Sequence, residues 1–242
     1  MVRRILLDVF EHPFFEVPVA HPPVPQNQER GELRLFVDEL SVQIEKEPRM
    51  SDTKLGNPAV VGLAGFGMTT LILQFHNLGW VGLGPVLWLG LLFGGSAQLV
   101  AGLLEFKTGN NFGFCAFSAY GAFWISLCLY VIFGSNKELI NLYPVLKMSG
   151  HDLGIFLLMW TLFTAILFIP AMKHHGTLAL IFFTLLLGFI GLDFKELAGN
   201  ELLGKAAAWD LIVCALLAWY LMAHVVFAES GINLPVGKAW IK

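Results

Sequence analysis

Six long apolar runs, each nearly free of charge, constrain this chain more than any other feature. They fall at approximately Pro58 to Phe75, Gly84 to Leu104, Phe112 to Phe133, Leu153 to Met172, Thr177 to Leu192 and Lys205 to Ala228. A bilayer's hydrocarbon is about 30 Å thick, and a helix crosses it with roughly 20 mostly apolar residues. The fifth run is the shortest and is followed directly by Asp193, so its lower boundary is the least defined. Inside lipid every backbone polar group must be paired within the protein, which leaves helices or a closed barrel. Barrel strands alternate polar and apolar residues; the stretch from Leu180 to Leu187 does not, so these runs are helices. The composition agrees, since 56% hydrophobic and 14% charged residues lie well outside the soluble range. The expected fold is all-α and membrane-integral: a six-transmembrane-helix bundle over 55–230, a soluble amino-terminal extension over 1–54 and a short carboxy-terminal tail over 231–242.

The extension differs in composition from the six runs. Pro13, Pro18, Pro22, Pro23, Pro25 and Pro48 interrupt a mixed, charged sequence, and the apolar start Ile5-Leu6-Leu7 stops at Asp8 without a cleavage site, which speaks against a secretory signal. Leu33, Phe36, Val37, Leu40 and Ile44 share one helical face, whereas Val42 and Ile44 also alternate as in a strand. The segment reads either as an amphipathic helix on the membrane or the bundle, or as a weakly ordered tail. An even number of spans puts both termini on one side, together with Lys46, Arg49, Lys54, Lys107, Lys173, Lys238 and Lys242. Lys137, Lys147, Lys195 and Lys205 lie opposite, so the positive-inside rule narrowly favours cytoplasmic termini for a multi-pass protein of the cell membrane. A net charge of −3 with no clustered basic face excludes a nucleic-acid partner. Cys115, Cys128 and Cys214 lie in spans without paired spacing and read as small buried apolar side chains.

Several polar positions stand out along the spans. Asn57-Pro58 is a helix start, with Asn as N-cap and Pro at the first helical position. The same N-terminus, with its partial positive charge, is also a candidate anion site. Gly90-xxx-Gly94 and Ser118-xxx-Ala122-xxx-Ser126 have the spacing of close helix packing. Thr69, Thr70, Gln74 and Gln98 lie at membrane depth, where a polar side chain needs a partner or a water-filled path. For Gln98 the plain expectation is an interhelical hydrogen bond, and the sharper one a place on a pore. Asp210 is a candidate proton relay, although its nearness to the expected helix start at Lys205 points to the interface. No nucleophile elbow, HExxH pair or phosphate-cradling loop occurs, and His174-His175 alone make no metal site, so neither an enzyme nor a bound metal or cofactor is expected.

The stretch Asn57-Pro58-Ala59-Val60-Val61-Gly62-Leu63 resembles the NPAPLGL signature of the acetate uptake transporter family, which includes bacterial succinate/acetate permeases and fungal acetate and ammonia-export proteins. The similarity continues in order through Gly65-Phe66-Gly67-Met68-Thr69-Thr70, His76-Asn77, Gly94-Gly95, Ala97-Gln98, Ala101 to Glu105, Tyr120-Gly121 and Phe123-Trp124. It is weaker at Phe182-Phe183 and Ala198-Gly199-Asn200. Val60 and Val61 replace the Pro-Leu of the signature, and Asp210 and the long extension have no obvious counterpart in the family. The resemblance implies a homohexamer with a path through each protomer, narrowed by a hydrophobic constriction at Phe66, Tyr120 and Leu185. Asn57, Pro58, Gly62, Thr70 and Gln98 are the candidates for contact with substrate.

The leading expectation is passage of acetate and similar small monocarboxylates, extending to succinate, through a channel or by proton symport. An acetate anion needs help to leave water for hydrocarbon. Ammonium, ammonia or water permeation remains open, as does a membrane sensor with a partner-binding tail. Asn57-Pro58-Ala59 is also the aquaporin tripeptide, but that fold uses two copies and this chain has one.

Overall fold

The computed structural model describes residues 56–242, together with Glu39 alone in the preceding stretch. The amphipathic segment expected in the amino-terminal extension lies outside the described residues. The chain runs through α1 (Ala59–Asn77), α2 (Gly84–Thr108), α3 (Asn111–Gly134), a short α4 (Lys137–Leu142), α5 (Gly150–His174), α6 (Gly176–Ala198) and α7 (Glu201–Glu229). All but α4 are long and apolar enough to cross a membrane, which gives the six expected spans. At 1.5 Å per residue, even the shortest of them, α1 with 19 residues, reaches about 29 Å.

The helices close into a ring. Going round it, α5 packs on α6, α6 on α7, α7 on α1, α1 on α2 and α2 on α3. Small residues bring α1, α2 and α3 together: a Cβ on Gly65 would stand 2.6 Å from the Phe93 carbonyl oxygen, and one on Gly121 would stand 2.6 Å from the Leu99 backbone nitrogen. Gly94 lies against the Thr69 side chain and Gly102 against Ser118, so the small-xxx-small positions act as packing surfaces. The last seam, α3 to α5, has few close backbone approaches. Aromatic rings fill it instead, with Phe123 stacked on Phe156 at 5.9 Å and edge-on to Trp160 at 5.1 Å.

Two boundaries next to carboxyl residues differ from the sequence reading. The fifth span does not end at Leu192 but continues to Ala198, where Gly199 turns left-handed at φ 66° and caps it. Asp193 is carried inside this helix, buried, and accepts a hydrogen bond from Thr161 Oγ1 of α5 at 2.6 Å. That partner is what permits a carboxyl within an apolar helix. The sixth span begins at Glu201 behind an Asn200 cap rather than at Lys205. Asp210 is therefore about 14 Å along its helix and half-buried. Cys128 and Cys214 are buried as expected, but Cys115 is exposed on the outer face.

Two features leave no mark in the apolar pattern. Leu92–Ala97, in the middle of α2, form a π-helical segment. Such a wide turn inserts one residue into the helical register and so re-aims the rest of the helix, beginning with Gln98. Residues after Glu229 turn back at Gly231 and lie across the ends of α5, α6 and α7. Val236 O accepts from Thr177 N at 2.8 Å, Tyr220 Oη donates to Pro235 O at 2.7 Å, and Trp240 N donates to Met172 O at 2.8 Å. The strap thereby pairs a free carbonyl of α5 and a free N–H of α6, groups that helix ends otherwise leave open.

Candidate functional site

Two cavities occupy the interior of the ring. The first, about 200 Å³, lies toward the end that carries the starts of α1, α3 and α6; Ala59, Leu63, Gln98, Asn110, Phe112, Phe117, His174, His175, Ile181 and Phe182 are among its walls. The second, about 280 Å³, lies toward the opposite end and is walled by Thr70, Gln74, His76, Asn77, Trp124, Leu157, Phe189, Lys195 and Glu196 among others. Phe66, Tyr120 and Leu185 line both. All three side chains are buried, and the Phe66 and Tyr120 ring centroids are 6.1 Å apart. The structure thus brings together the three residues that the sequence named from α1, α3 and α6.

Tyr120 is fixed by its neighbours. Its hydroxyl is 2.9 Å from Thr164 Oγ1, and Thr164 itself donates to Trp160 O at 2.7 Å. With the Thr164 hydrogen committed to that carbonyl, Tyr120 is the donor of the pair, and its oxygen lone pairs are what it can offer a visitor. Trp160 and Phe163 flank the ring, with centroids 6.1 and 5.7 Å from it. The sequence does not single out Thr164; its only sign there is a hydroxyl residue three positions after Thr161 in an otherwise apolar run.

The candidate contact residues separate into three groups. Gln98 and Thr70 line the first and second cavity respectively. Gly62 lies against the Phe117 ring, where a Cβ would come within 2.6 Å, so its role is packing. Asn57 is exposed, and its Oδ1 accepts from Ala59 N at 3.0 Å. Val60 N reaches Asn57 O, while Val61 N and Gly62 N reach Pro58 O. The first N–H groups of α1 are therefore spent within the chain, which leaves an anion at this N-terminus only the helix dipole. At the α3 start Gly113 N donates to Asn110 Oδ1 at 3.0 Å, and at the α6 start Thr177 N donates to Val236 O and Leu178 N to His175 Nδ1 at 3.2 Å. Asp210 lines neither cavity.

The interhelical hydrogen bond expected of Gln98 is not formed. The side chain is 0% exposed, yet neither Oε1 nor Nε2 has a partner among the described residues. Buried polar atoms are paired in the great majority of cases, and each one left open costs about 1–3 kcal/mol. The second cavity is different: Gln74 Oε1 accepts from Asn77 Nδ2 at 2.9 Å, His76 Nδ1 lies 3.1 Å from Val81 O, and Lys195 pairs with Glu196 at 3.2 Å.

Comparison with known proteins agrees with this architecture. Residues 38–238 match the model of the GPR1/FUN34/yaaH family. The chain is 39% identical over 197 residues to the succinate-acetate/proton symporter SatP of Escherichia coli K12, an alignment spanning 78% of this chain and all of that protein. It is 32% identical over 173 residues to ammonia transport outward protein 2 of Saccharomyces cerevisiae, covering 69% of this chain and 60% of the yeast protein. Among solved structures, that of the bacterial acetate channel SatP superposes with a TM-score of 0.70 at 38% identity, covering 76% of this chain and all of the other. With its ring of six spans and two cavities meeting at one aromatic layer, the chain belongs to the GPR1/FUN34/yaaH family.

Proposed function

We propose that this protein is a multi-pass membrane transporter that passes acetate and similar small monocarboxylates through each protomer. The observation that carries the reading is the pair of cavities, on opposite sides of one buried layer formed by Phe66, Tyr120 and Leu185. Rings and a leucine at the narrowest point exclude hydrated ions, which cannot shed water against apolar walls. A two-carbon acid presents a methyl group to the same walls and a carboxyl group to the Tyr120 oxygen. The reading is supported by identity to a succinate-acetate/proton symporter along that protein's whole length. It is a reading of transport rather than enzymatic chemistry, with succinate an additional substrate.

The finer features belong to the same proposal. Assembly as a homohexamer rests on the family resemblance, and sedimentation in detergent measures it. Placement in the cell membrane with cytoplasmic termini rests on the lysine distribution, and accessibility of a terminal tag in sealed cells reads it.

Uptake of labelled acetate by proteoliposomes containing the purified protein tests the function. Facilitated uptake above that of protein-free vesicles supports it. Absence of that difference, with labelled methylammonium entering instead, would replace acetate by the ammonium solute that the yeast relative's name carries.

A further inference from the structure

We infer that the outer groove between α5 and α6 is a lipid site, built around Asp193 to take the free hydroxyl of a diacylglycerol. The inference stands apart from the solute path, because neither Asp193 nor Thr161 lines either inner cavity. The groove encloses about 350 Å³ between Leu158 and Thr161 of α5 and Ile190, Asp193, Phe194 and Leu197 of α6. Ile190, Phe194 and Leu197 are exposed, so it opens on the outside of the ring, where spanning helices meet lipid.

The carboxyl group makes this more than an apolar furrow. Asp193 is only 7% exposed, and a carboxyl so deeply buried needs hydrogen-bond partners. Oδ2 takes the Thr161 hydrogen at 2.6 Å, while Oδ1 has no partner among the described residues. Thr161 has one hydrogen to give and also lies 3.1 Å from Leu157 O, so it cannot serve Oδ1 as well. Oδ1 is an acceptor whether or not a proton rests on Oδ2, so the partner it lacks is an N–H or O–H donor.

Depth narrows the donor. With 23 residues α6 is about 34 Å long, slightly more than the roughly 30 Å of hydrocarbon it crosses. Asp193 lies about 8 Å before the helix end at Ala198, which puts its carboxyl just inside the hydrocarbon edge. That is the level of lipid glycerol backbones, below the phosphate and amine groups. Charge narrows it further. Among the described residues no Lys or Arg lines the groove, and Lys195 is engaged elsewhere, paired with Glu196 at 3.2 Å and lying along Gly204 of α7. A phospholipid would set its phosphate toward the Asp193 carboxyl with no cation to bridge the two, and its ammonium group could reach Oδ1 only by drawing that phosphate in. A diacylglycerol carries no phosphate. It offers one O–H at the glycerol level for Oδ1, and acyl chains for Ile190, Phe194 and Leu197.

Native mass spectrometry of the full chain in detergent tests this, with dioctanoylglycerol, trioctanoylglycerol and dioctanoylphosphatidylcholine as the added probes. The wild type should hold dioctanoylglycerol saturably and bind the other two about tenfold more weakly, since one lacks the hydroxyl and the other adds the phosphate. Asp193→Leu removes the acceptor and should weaken dioctanoylglycerol binding about tenfold. Ile190→Trp fills the groove but leaves the carboxyl in place, and should weaken it as much; if Asp193→Leu does not fold, this variant decides the matter. Equal binding of the three probes, or undiminished binding by the variants, would overturn the inference. So would a wild type that holds no dioctanoylglycerol: the groove would then belong to water or, where Ile190→Trp also splits the assembly, to a second copy of the chain.

Discussion

The two cavities differ less in size than in how far their polar side chains are paired with one another. In the second, Gln74 is tied to Asn77, His76 to a backbone carbonyl, and Lys195 to Glu196, while the buried Trp124 Nε1 has no partner among the described residues. In the first, the helix starts are capped by the chain's own side chains, while Gln98 stands open at both amide atoms. Satisfied polar groups hold a vestibule in shape, whereas an unsatisfied pair in an apolar wall waits for a ligand. The comparison predicts that substitutions in the first cavity and the shared layer change flux more than substitutions in the second.

Substitutions that merge the cavities have the largest expected effect. Phe66→Ala and Tyr120→Ala each remove a ring from the shared layer, so carboxylates bulkier than acetate should gain flux about tenfold relative to acetate. Competition assays with acids of increasing chain length measure this. Tyr120→Phe keeps the ring and removes only the oxygen that faces the path. Loss of one neutral hydrogen bond corresponds to a decrease of up to about tenfold in acetate flux, with assembly intact by gel filtration.

The second cavity should be more tolerant. Gln74→Leu and Lys195→Ala each disturb a pair already satisfied within the wall, so acetate flux should change by less than about threefold. A loss there as large as that of Tyr120→Phe would remove the distinction between the two cavities.

The smallest effect is one of pH and belongs to the wall of the first cavity. Burial, with His174 and His224 nearby, lowers the His175 pKa from its usual 6.5. A group that resists protonation when folded contributes stability that is complete above its unfolded pKa and lost as pH falls below it. The His175 ring caps α6 through an unprotonated Nδ1, which agrees with that sign. Thermal unfolding should therefore shift down slightly on acidification below about pH 6.5, and His175→Asn, which keeps a capping side chain but cannot titrate, should reduce the shift.

Much of this architecture is legible in the sequence because lipid imposes a simple rule. Runs such as Gly84 to Leu104 must be helices of a definite length, and all six are present. Boundaries fail where a polar residue inside a helix finds its partner in another one. Asp193 looks like an end because Thr161, 32 positions away, cannot be assigned to it from a linear pattern. Of the site, Phe66, Tyr120 and Leu185 are named through resemblance; apolar spacing alone would leave them as core. Gln98 is visible as a costly residue at membrane depth, but a bonded and an open glutamine read alike in a sequence. The π-helical turn before it and the Thr164 partner of Tyr120 depend on geometry between helices. The same holds for the strap through Val236 and Trp240, which in sequence is a plain tail.

The central claim, that acetate passes between the cavities at the Phe66, Tyr120 and Leu185 layer, is tested most directly by blocking that point. Leu185→Cys in a background with Cys115, Cys128 and Cys214 replaced by Ala provides a single thiol there, and a small methanethiosulfonate reagent adds bulk to it. Acetate flux in proteoliposomes should be present before modification, abolished after it, and restored by reduction. Undiminished flux after complete modification, verified by mass, would place the path elsewhere.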